Sequence, residues 1–401
     1  MKSYDYIIAG GGCAGLSLAY YLSQSKLANA KVLIIDREEK IHNDRTWCFW
    51  TNQPTTFDAI VHKEWQTLSF TNAQRSQQHN LKKGAYKLIR SADFYHFTQN
   101  AIRSYPNFEW LQAAVSLVSE DEESPFVIAD GVTYRARWVF NSCFDWQNWQ
   151  RQAEGHRFLL QHFRGWVIKT PMPAFDANVA TLMDFRTEQL GNTRFFYVLP
   201  FSPNEALVEY TIFSKRLESR ESYEQELKHY IKNQLQIEKY EIAETEQGVI
   251  PMADMPLPKQ AGQRIIYIGT LGGAVKPTTG YAFLRIQQQT QQLLKCLERT
   301  GAPFISLPAK RRFRFYDQLL LDIIEQDGDR VQEIFTCLFQ NNEITTILKF
   351  LDEATVIRQE ASIFAKLPFS PFLQALVRLY GWKYQQKAIP TLQPITGRRF
   401  K

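Results

Sequence analysis

A single carboxyl interrupts an apolar, strand-like run in the middle of the chain. In Ala206-Leu207-Val208-Glu209-Tyr210-Thr211-Ile212-Phe213 both faces of the strand are largely apolar, and only Glu209 breaks the pattern. A carboxylate buried without a partner costs several kcal/mol, so the group is expected to raise its pKa and stay protonated. A carboxylic acid held neutral near pH 7 is a proton donor. The pattern also allows Glu209 to face solvent, or to pair with Arg186 or Arg194.

A second set of residues points to phosphate. Tyr6-Ile7-Ile8-Ala9-Gly10-Gly11-Gly12-Cys13-Ala14-Gly15 reads as a buried strand, a Gly-x-Gly-x-x-Gly turn and a helix over 16 to about 27. The next apolar run, Val32-Leu33-Ile34-Ile35, ends in Asp36. In such a βαβ unit Gly10 permits the tight turn and Gly12 lets the backbone approach a pyrophosphate, while Gly15 lets helix and strand pack closely. The helix N-terminus offers free N–H groups and a positive dipole end to the phosphates. Asp36 is placed for ribose hydroxyls, about twenty residues beyond the last glycine.

Arg45, in Asn43-Asp44-Arg45-Thr46-Trp47-Cys48-Phe49-Trp50, suits the phosphates or ribityl chain of a flavin, or a salt bridge beside an aromatic cluster. Far along the chain, a strand over 265–268 runs into Gly269-Thr270-Leu271-Gly272-Gly273 and Lys276-Pro277-Thr278-Thr279-Gly280, followed by a helix from 281 to about 300. A second glycine-rich strand-to-helix junction is typical of FAD folds rather than plain NAD folds. Gly269, Pro277 and Gly280 are the candidate residues at the ring end of the cofactor. The helix behind them places positive potential there.

These groups need scaffolding. Strands are expected over 68–70, 85–89, 108–111, 138–141, 180–186, 194–199 and 206–214, with a meander over 115–136 that turns at Asp130-Gly131. Helices are expected over 92–105 and 219–235, and nearly everything from 311 onward is helical by period. The fold class is α/β: a FAD-binding Rossmann-type domain (1–55, 81–160 and 262–300), an inserted antiparallel β-sheet substrate domain (56–80 and 161–261) and a helical C-terminal region (301–401). The last helix opens at Ser370-Pro371 and carries Phe372, Leu373, Leu376, Leu379, Tyr380 and Trp382 with Arg378, Lys383 and Lys387. It is suited either to a bilayer surface or to the protein core.

Composition narrows the classes. The 401 residues are 44% hydrophobic and 22% charged, ordinary for a globular protein. Aromatics reach 14%, as expected for a large apolar or flat ligand or for a rich core. The net charge of +6 is spread along the chain without a nucleic-acid motif, which fits a weak preference for an anionic membrane surface. Cys13, Cys48, Cys143, Cys296 and Cys337 are odd in number and scattered, so neither a disulfide framework nor metal-ligand spacing is visible and a reducing cytoplasm fits. The first strand begins close to Met1, so no signal peptide is expected. No apolar run approaches the roughly eighteen to twenty residues that span a bilayer, which leaves peripheral membrane contact.

Together, residues 43–50, Leu207-Val208-Glu209-Tyr210-Thr211, Pro277-Thr278-Thr279-Gly280-Tyr281, 313–321 and Phe350-Leu351-Asp352-Glu353 resemble the bacterial lycopene cyclases, in order and over nearly the whole chain. The resemblance implies a FAD fold related to aromatic hydroxylases and geranylgeranyl reductases. It implies a linear ψ-ended carotene (lycopene) as substrate and closure of its ends to β-ionone rings. It also implies reduced FAD, with NAD(P)H as reductant and no net redox change. Glu209 aligns with that family's essential acid. Two departures stand out. Thr270 follows Gly269 where hydroxylases carry an acid, and Tyr210 follows Glu209 where the family often has a second acid. Rival readings are a flavin monooxygenase, a geranylgeranyl-type reductase and a non-catalytic carotenoid-binding protein. Of Phe195, Phe196 and Tyr197, alternate residues are expected to line the substrate channel.

Overall fold

The strand Ser3–Ala9 is apolar on both faces, and a strand of that kind belongs in the middle of a parallel sheet. In the computed structural model, which describes residues 3–304 and 310–388, it lies between Val32–Asp36 and Val132–Asn141, parallel to both. Phe108–Gln112 and Ile265–Tyr267 extend the parallel order on either side. Ile7, Ile8 and Ala9 have no exposed surface. The helices Cys13–Ser23, Ser91–Arg103 and Phe283–Thr300 share one core cluster against this sheet. The meander Val115–Glu120, Pro125–Ala129 pairs with the opening residues of Val132–Asn141 through a turn in which Asp130 (φ +45°) and Gly131 (φ +77°) are both left-handed.

The first helix begins at Cys13 and ends at Ser23, earlier at both ends than its apolar pattern predicts. Gly12 is its extended N-cap. At the other end the Ser23 and Ser25 hydroxyls donate to the carbonyls of Tyr20 and Leu22. Such local bonds compete with further helix.

A seven-stranded sheet roofs the nucleotide sheet. Its order is Glu241–Ala253, Phe158–Lys169, Glu205–Ser214, Thr193–Ser202, Val179–Asp184, Thr67–Thr71 and Ser76–Asn80. All neighbours are antiparallel except Val179–Asp184 and Thr67–Thr71. Four of these strands were legible from their apolar runs. The two longest, Phe158–Lys169 and Glu241–Ala253, were not. The first carries buried His162 and Arg164, and the second is an edge strand whose opening half is mostly exposed. Residues 46–51 also form a strand, paired with Ala85–Arg90, which in turn pairs with Lys63–Trp65.

The helices Arg311–Gln326, Arg330–Asn341, Ile344–Leu351, Ile357–Phe364 and Phe369–Ala388 complete one core with the cavity-side face of the roof. In the last of these, Ala375 and Leu379 face the core while Arg378 pairs with Asp322. Phe369, Leu373, Val377 and Tyr380 stay exposed on the outer side. The side chains of Trp382, Lys383 and Lys387 lie outside the described ones. Among the described residues no helix is long and apolar enough to cross a membrane.

The helix Arg220–Asn233 covers the outer face of the roof, where Phe196 stacks between Tyr210 and Tyr230. There His162 is bonded to Ser214 Oγ (2.8 Å) and to the Tyr223 hydroxyl. Burial pushes His162 down from 6.5 to about 4. Between those two values the unfolded chain binds a proton that the folded one refuses, so stability rises with pH across that window. Lowering the pH from about 6.5 to about 4 is expected to cost on the order of 2–3 kcal/mol through this group. Chemical denaturation of wild type and His162→Gln along that pH range checks it, because the variant must lose that part of the pH dependence.

Candidate functional site

A cavity of about 760 Å³ lies between the nucleotide sheet and the roof. The glycine turn forms one end. Gly10 has φ +99°, and a Cβ there would stand 2.3 Å from Ser142 Oγ. A Cβ on Gly15 would stand 1.9 Å from the Gly10 carbonyl oxygen, which is the close strand–helix approach its position calls for. Gly12 differs: nothing lies within 4 Å of the position its Cβ would take, because that position opens into the cavity. The first-turn N–H groups of a helix have no intrahelical partner, and Gly12, Cys13 and Ala14 line the wall. Asp36 also lines it, and its Oδ2 accepts the Gly11 N–H at 2.7 Å. Arg45 reaches the wall too. Its guanidinium donates to the Asp44 carbonyl (2.7 Å) and has no carboxylate partner among the described residues, so the salt-bridge alternative does not hold.

The second glycine junction forms the other end. Gly269 (φ +63°) and Gly280 (φ +71°) line the cavity in conformations that disfavour a side chain. A Cβ on Gly280 would come within 2.4 Å of Gln161 Oε1 on the roof. Pro277 is a correction: it does not lie on the cavity wall, where the loop presents Val275, Thr279 and Gly280 instead. Behind the loop, the buried Lys276 ammonium reaches Asp317 (2.8 and 3.0 Å) and Glu353 (3.2 Å), and Thr278 Oγ1 donates to Asp317 (2.8 Å). This ionic cluster ties the loop to the C-terminal helices. Two polar atoms at this end, Thr279 Oγ1 and Gln161 Oε1, are buried and take no partner from the protein. A cradle that only glycine leaves open, free helix N–H groups and orphaned polar atoms at the far end all fit a dinucleotide of FAD type.

The roof supplies the acid. Glu209 shares the cavity face of its strand with Leu207 and Thr211, and it lines the cavity. Thr211 Oγ1 donates to Glu209 Oε1 at 2.8 Å. The arginines considered as its partners are engaged elsewhere, Arg194 with Glu218 and Tyr210, and Arg186 with Asp184. Burial first, and then the neighbouring Glu246 carboxyl, hold Glu209 well above the ordinary carboxyl range. That environment favours its protonated form.

Three residues here were given no role in the site from the sequence. Glu246 lies two strands away, on the far side of Gly165, and accepts from Thr46 Oγ1 at 2.5 Å. Tyr281 and Tyr86 approach hydroxyl to hydroxyl at 3.3 Å beside Tyr197, each kept neutral by burial. Of the three roof aromatics, Tyr197 lines the cavity, Phe195 sits in the core, and Phe196 faces the opposite side. Beyond Tyr197 and Tyr281 lies an apolar recess of about 20 Å³ bounded by Trp50, Leu182 and Phe335.

The family model described as "Lycopene cyclase protein" matches residues 5–377. The chain belongs to the lycopene cyclase family. Curated relatives of this cyclase-family chain include the chloroplastic lycopene beta cyclase of Solanum lycopersicum, 25% identical over 297 residues, and that of Arabidopsis thaliana, 26% identical over 295. Each match covers 70% of this chain and 57% of the relative, so the chain spans little more than half the length of either. Among solved structures, a geranylgeranyl bacteriochlorophyll reductase-like protein from Thermoplasma acidophilum matches with TM-score 0.57 and 12% identity, over 97% of this chain and all of that one. The flavin-dependent brominase Bmp2 matches with TM-score 0.55 and 13% identity, over 96% of this chain and all of its own. The halogenase PltM, solved with phloroglucinol and FAD, gives 0.54 and 12%, over 87% and 79%. These likenesses show a fold shared with flavin-dependent enzymes: mixed α/β, with several sheets and a helical C-terminal region.

Proposed function

We propose that this chain is a lycopene β-cyclase that closes the linear ψ ends of lycopene to β-ionone rings with reduced FAD and no net redox change. The observation that carries the reading is Glu209: a carboxyl raised by burial and by Glu246, on the roof of a cavity whose opposite wall fits a dinucleotide. Gly10, Gly12, Asp36 and Arg45 would hold the phosphate and ribose end of FAD, and Gly269 and Gly280 the ring end, with Gly15 setting the helix against the turn. When bound and reduced through NAD(P)H, FAD supplies an electron-rich surface next to a developing cation.

The protein's own groups do the rest. Glu209 gives its proton to the terminal double bond of the carotene, so that its O–H bond breaks and a C–H bond forms. The neighbouring internal double bond attacks the resulting cation and closes a six-membered ring. A ring C–H proton then leaves, which gives the β end. Tyr197 and Tyr281 present aromatic faces to the cation, each worth roughly 0.5–2 kcal/mol, and their buried phenols stay protonated. Leu199 and Leu207 line the same wall and exclude the water that would trap the cation as an alcohol.

The substrate dissolves only in lipid, so the reading includes peripheral attachment to the cytoplasmic membrane. The exposed stripe Phe369, Leu373, Val377 and Tyr380 supports that, as does the net positive charge.

Expression in a lycopene-accumulating cell tests the function. The expected result is a shift from red lycopene to yellow-orange β-carotene, with solvent deuterium on the ring when the reaction runs in deuterated water. An unchanged pigment, or a product without deuterium, rejects the reading. Oxygen consumption in step with product would instead mark a monooxygenase.

A further inference from the structure

The roof holds a second carboxyl that the proton transfer just described does not use. Glu209, Gly165 and Glu246 stand side by side on three adjacent strands, in register. Gly165 is what lets them meet. A Cβ there would stand 3.1 Å from Glu246 Cγ, 3.3 Å from Glu209 Cβ and 3.0 Å from Leu207 Cδ1, tighter than most real contacts. Both acids line the cavity. Each accepts one threonine hydroxyl, Glu209 from Thr211 and Glu246 from Thr46. Among the described residues, no lysine, arginine or histidine pairs with either one. The other oxygen of Glu246, Oε1, is buried and receives no donor from the protein when both acids are counted as carboxylates.

Two adjoining carboxyls without a counter-cation cannot both ionise. A single proton held between them relieves that repulsion. A proton carried on Glu209 also supplies the donor that Glu246 Oε1 lacks.

We propose that Glu246 is the positioning residue for Glu209, sharing one proton with it across Gly165, holding that proton in place until an alkene end arrives and securing its return after ring closure. This rests on the cyclase reading. Before reaction the pair carries one proton and one negative charge. When Glu209 gives its proton to the inner carbon of the terminal double bond, leaving the cation on the dimethyl-bearing end carbon, the pair becomes doubly negative beside a single positive charge. That field favours the cation and then draws the ring proton back to Glu209 as the new double bond forms. Each turnover thus returns the proton it borrows, and no other acid or base is consumed. The remaining ionisable groups facing the pair leave this balance intact. Cys48, Tyr86, Tyr197 and Tyr281 are kept neutral by burial. Glu244 is bound to Arg90, and Arg164 to Glu224 on the other face of the sheet.

The test is infrared difference spectroscopy of the full-length holoprotein along a pH series. The carbonyl stretch of a protonated carboxyl, shifted by deuterium exchange, is assigned to Glu209 by its loss in Glu209→Gln. In wild type the band is expected to persist at pH 7. In Glu246→Gln its midpoint should fall by about one pH unit or more, since the like charge that raises it is gone. Ring closure in that variant should slow by about 10²-fold, with its pH limb moved the same way. Gly165→Ala is the second variant: it keeps both acids but parts them, and should also lower the midpoint. An unmoved midpoint in either folded variant overturns the shared proton, even if wild type cyclises lycopene. A moved midpoint in a protein that does not cyclise lycopene upholds the shared proton and removes the cyclase reading instead.

Discussion

Glu209→Gln is expected to stop ring closure, with a loss of at least 10²–10⁴-fold, the range ascribed to general acid catalysis. Glutamine keeps the shape of the side chain and can still accept from Thr211. What it lacks is an acidic proton, and the neighbouring carboxyl on the cavity face, Glu246, lies two strands away across Gly165. Tyr197, Tyr86, Tyr281 and Cys48 are all pushed upward by burial and are weaker acids still. The glycine turns at Gly10–Gly15 and Gly269–Gly280 are untouched, so FAD should remain bound in wild-type amount. The measurement is product formation from lycopene alongside the flavin absorbance of the purified protein. A variant that cyclises at the wild-type rate takes Glu209 out of the acid role. A variant that has lost its flavin would show that position 209 shapes the cofactor site instead.

The second large effect lies behind the loop. Lys276→Met should destabilise the folded protein by about 3–5 kcal/mol, the usual cost of removing one partner from a buried ion pair. Lys276 and Asp317 are both buried, and Asp317 is already raised by desolvation in spite of its lysine neighbour. Without the ammonium, Asp317 keeps only the Thr278 hydroxyl, while Glu353 keeps Arg285. The double variant Lys276→Met/Asp317→Leu removes both charges and should recover most of the loss. Urea unfolding of the holoprotein checks this. Equal instability of the single and double variants would mean that the orphaned charge is not the cause. The same cluster links the glycine junction to the helices Arg311–Gln326 and Ile344–Leu351, so the single variant should also hold flavin more weakly.

How much of this was legible beforehand depended on the distance over which each feature is decided. The first glycine turn is local. Backbone sterics at Gly10 and Gly15 and the strand–helix–strand order around them require no partner elsewhere in the chain. Glu209 was legible for a similar reason, since period-two alternation in one strand shows which residues share a face and how apolar that face is. The extent of the first helix was less legible, because serine hydroxyls ended it where the apolar pattern continued. Pro277 misled because a proline marks a turn without saying which neighbour faces inward, and here Thr279 and Gly280 do.

By itself, the amino-acid sequence determined the βαβ start with its acid at Asp36, the second glycine junction, and an isolated carboxyl in an apolar strand. Each follows from interactions among residues close together in the chain. The tertiary structure alone decided that Glu246 meets Glu209 across Gly165, that Thr46 reaches Glu246 from 200 residues away, and that Lys276 is neutralised by Asp317. The edge strand carrying Glu246 has the polar composition of a solvated one, and only its packing against the segment that carries Asn43 and Thr46 and against the strand of Arg90 turns that face inward. Strand register and burial between distant segments come from the assembled core, and no local pattern encodes them.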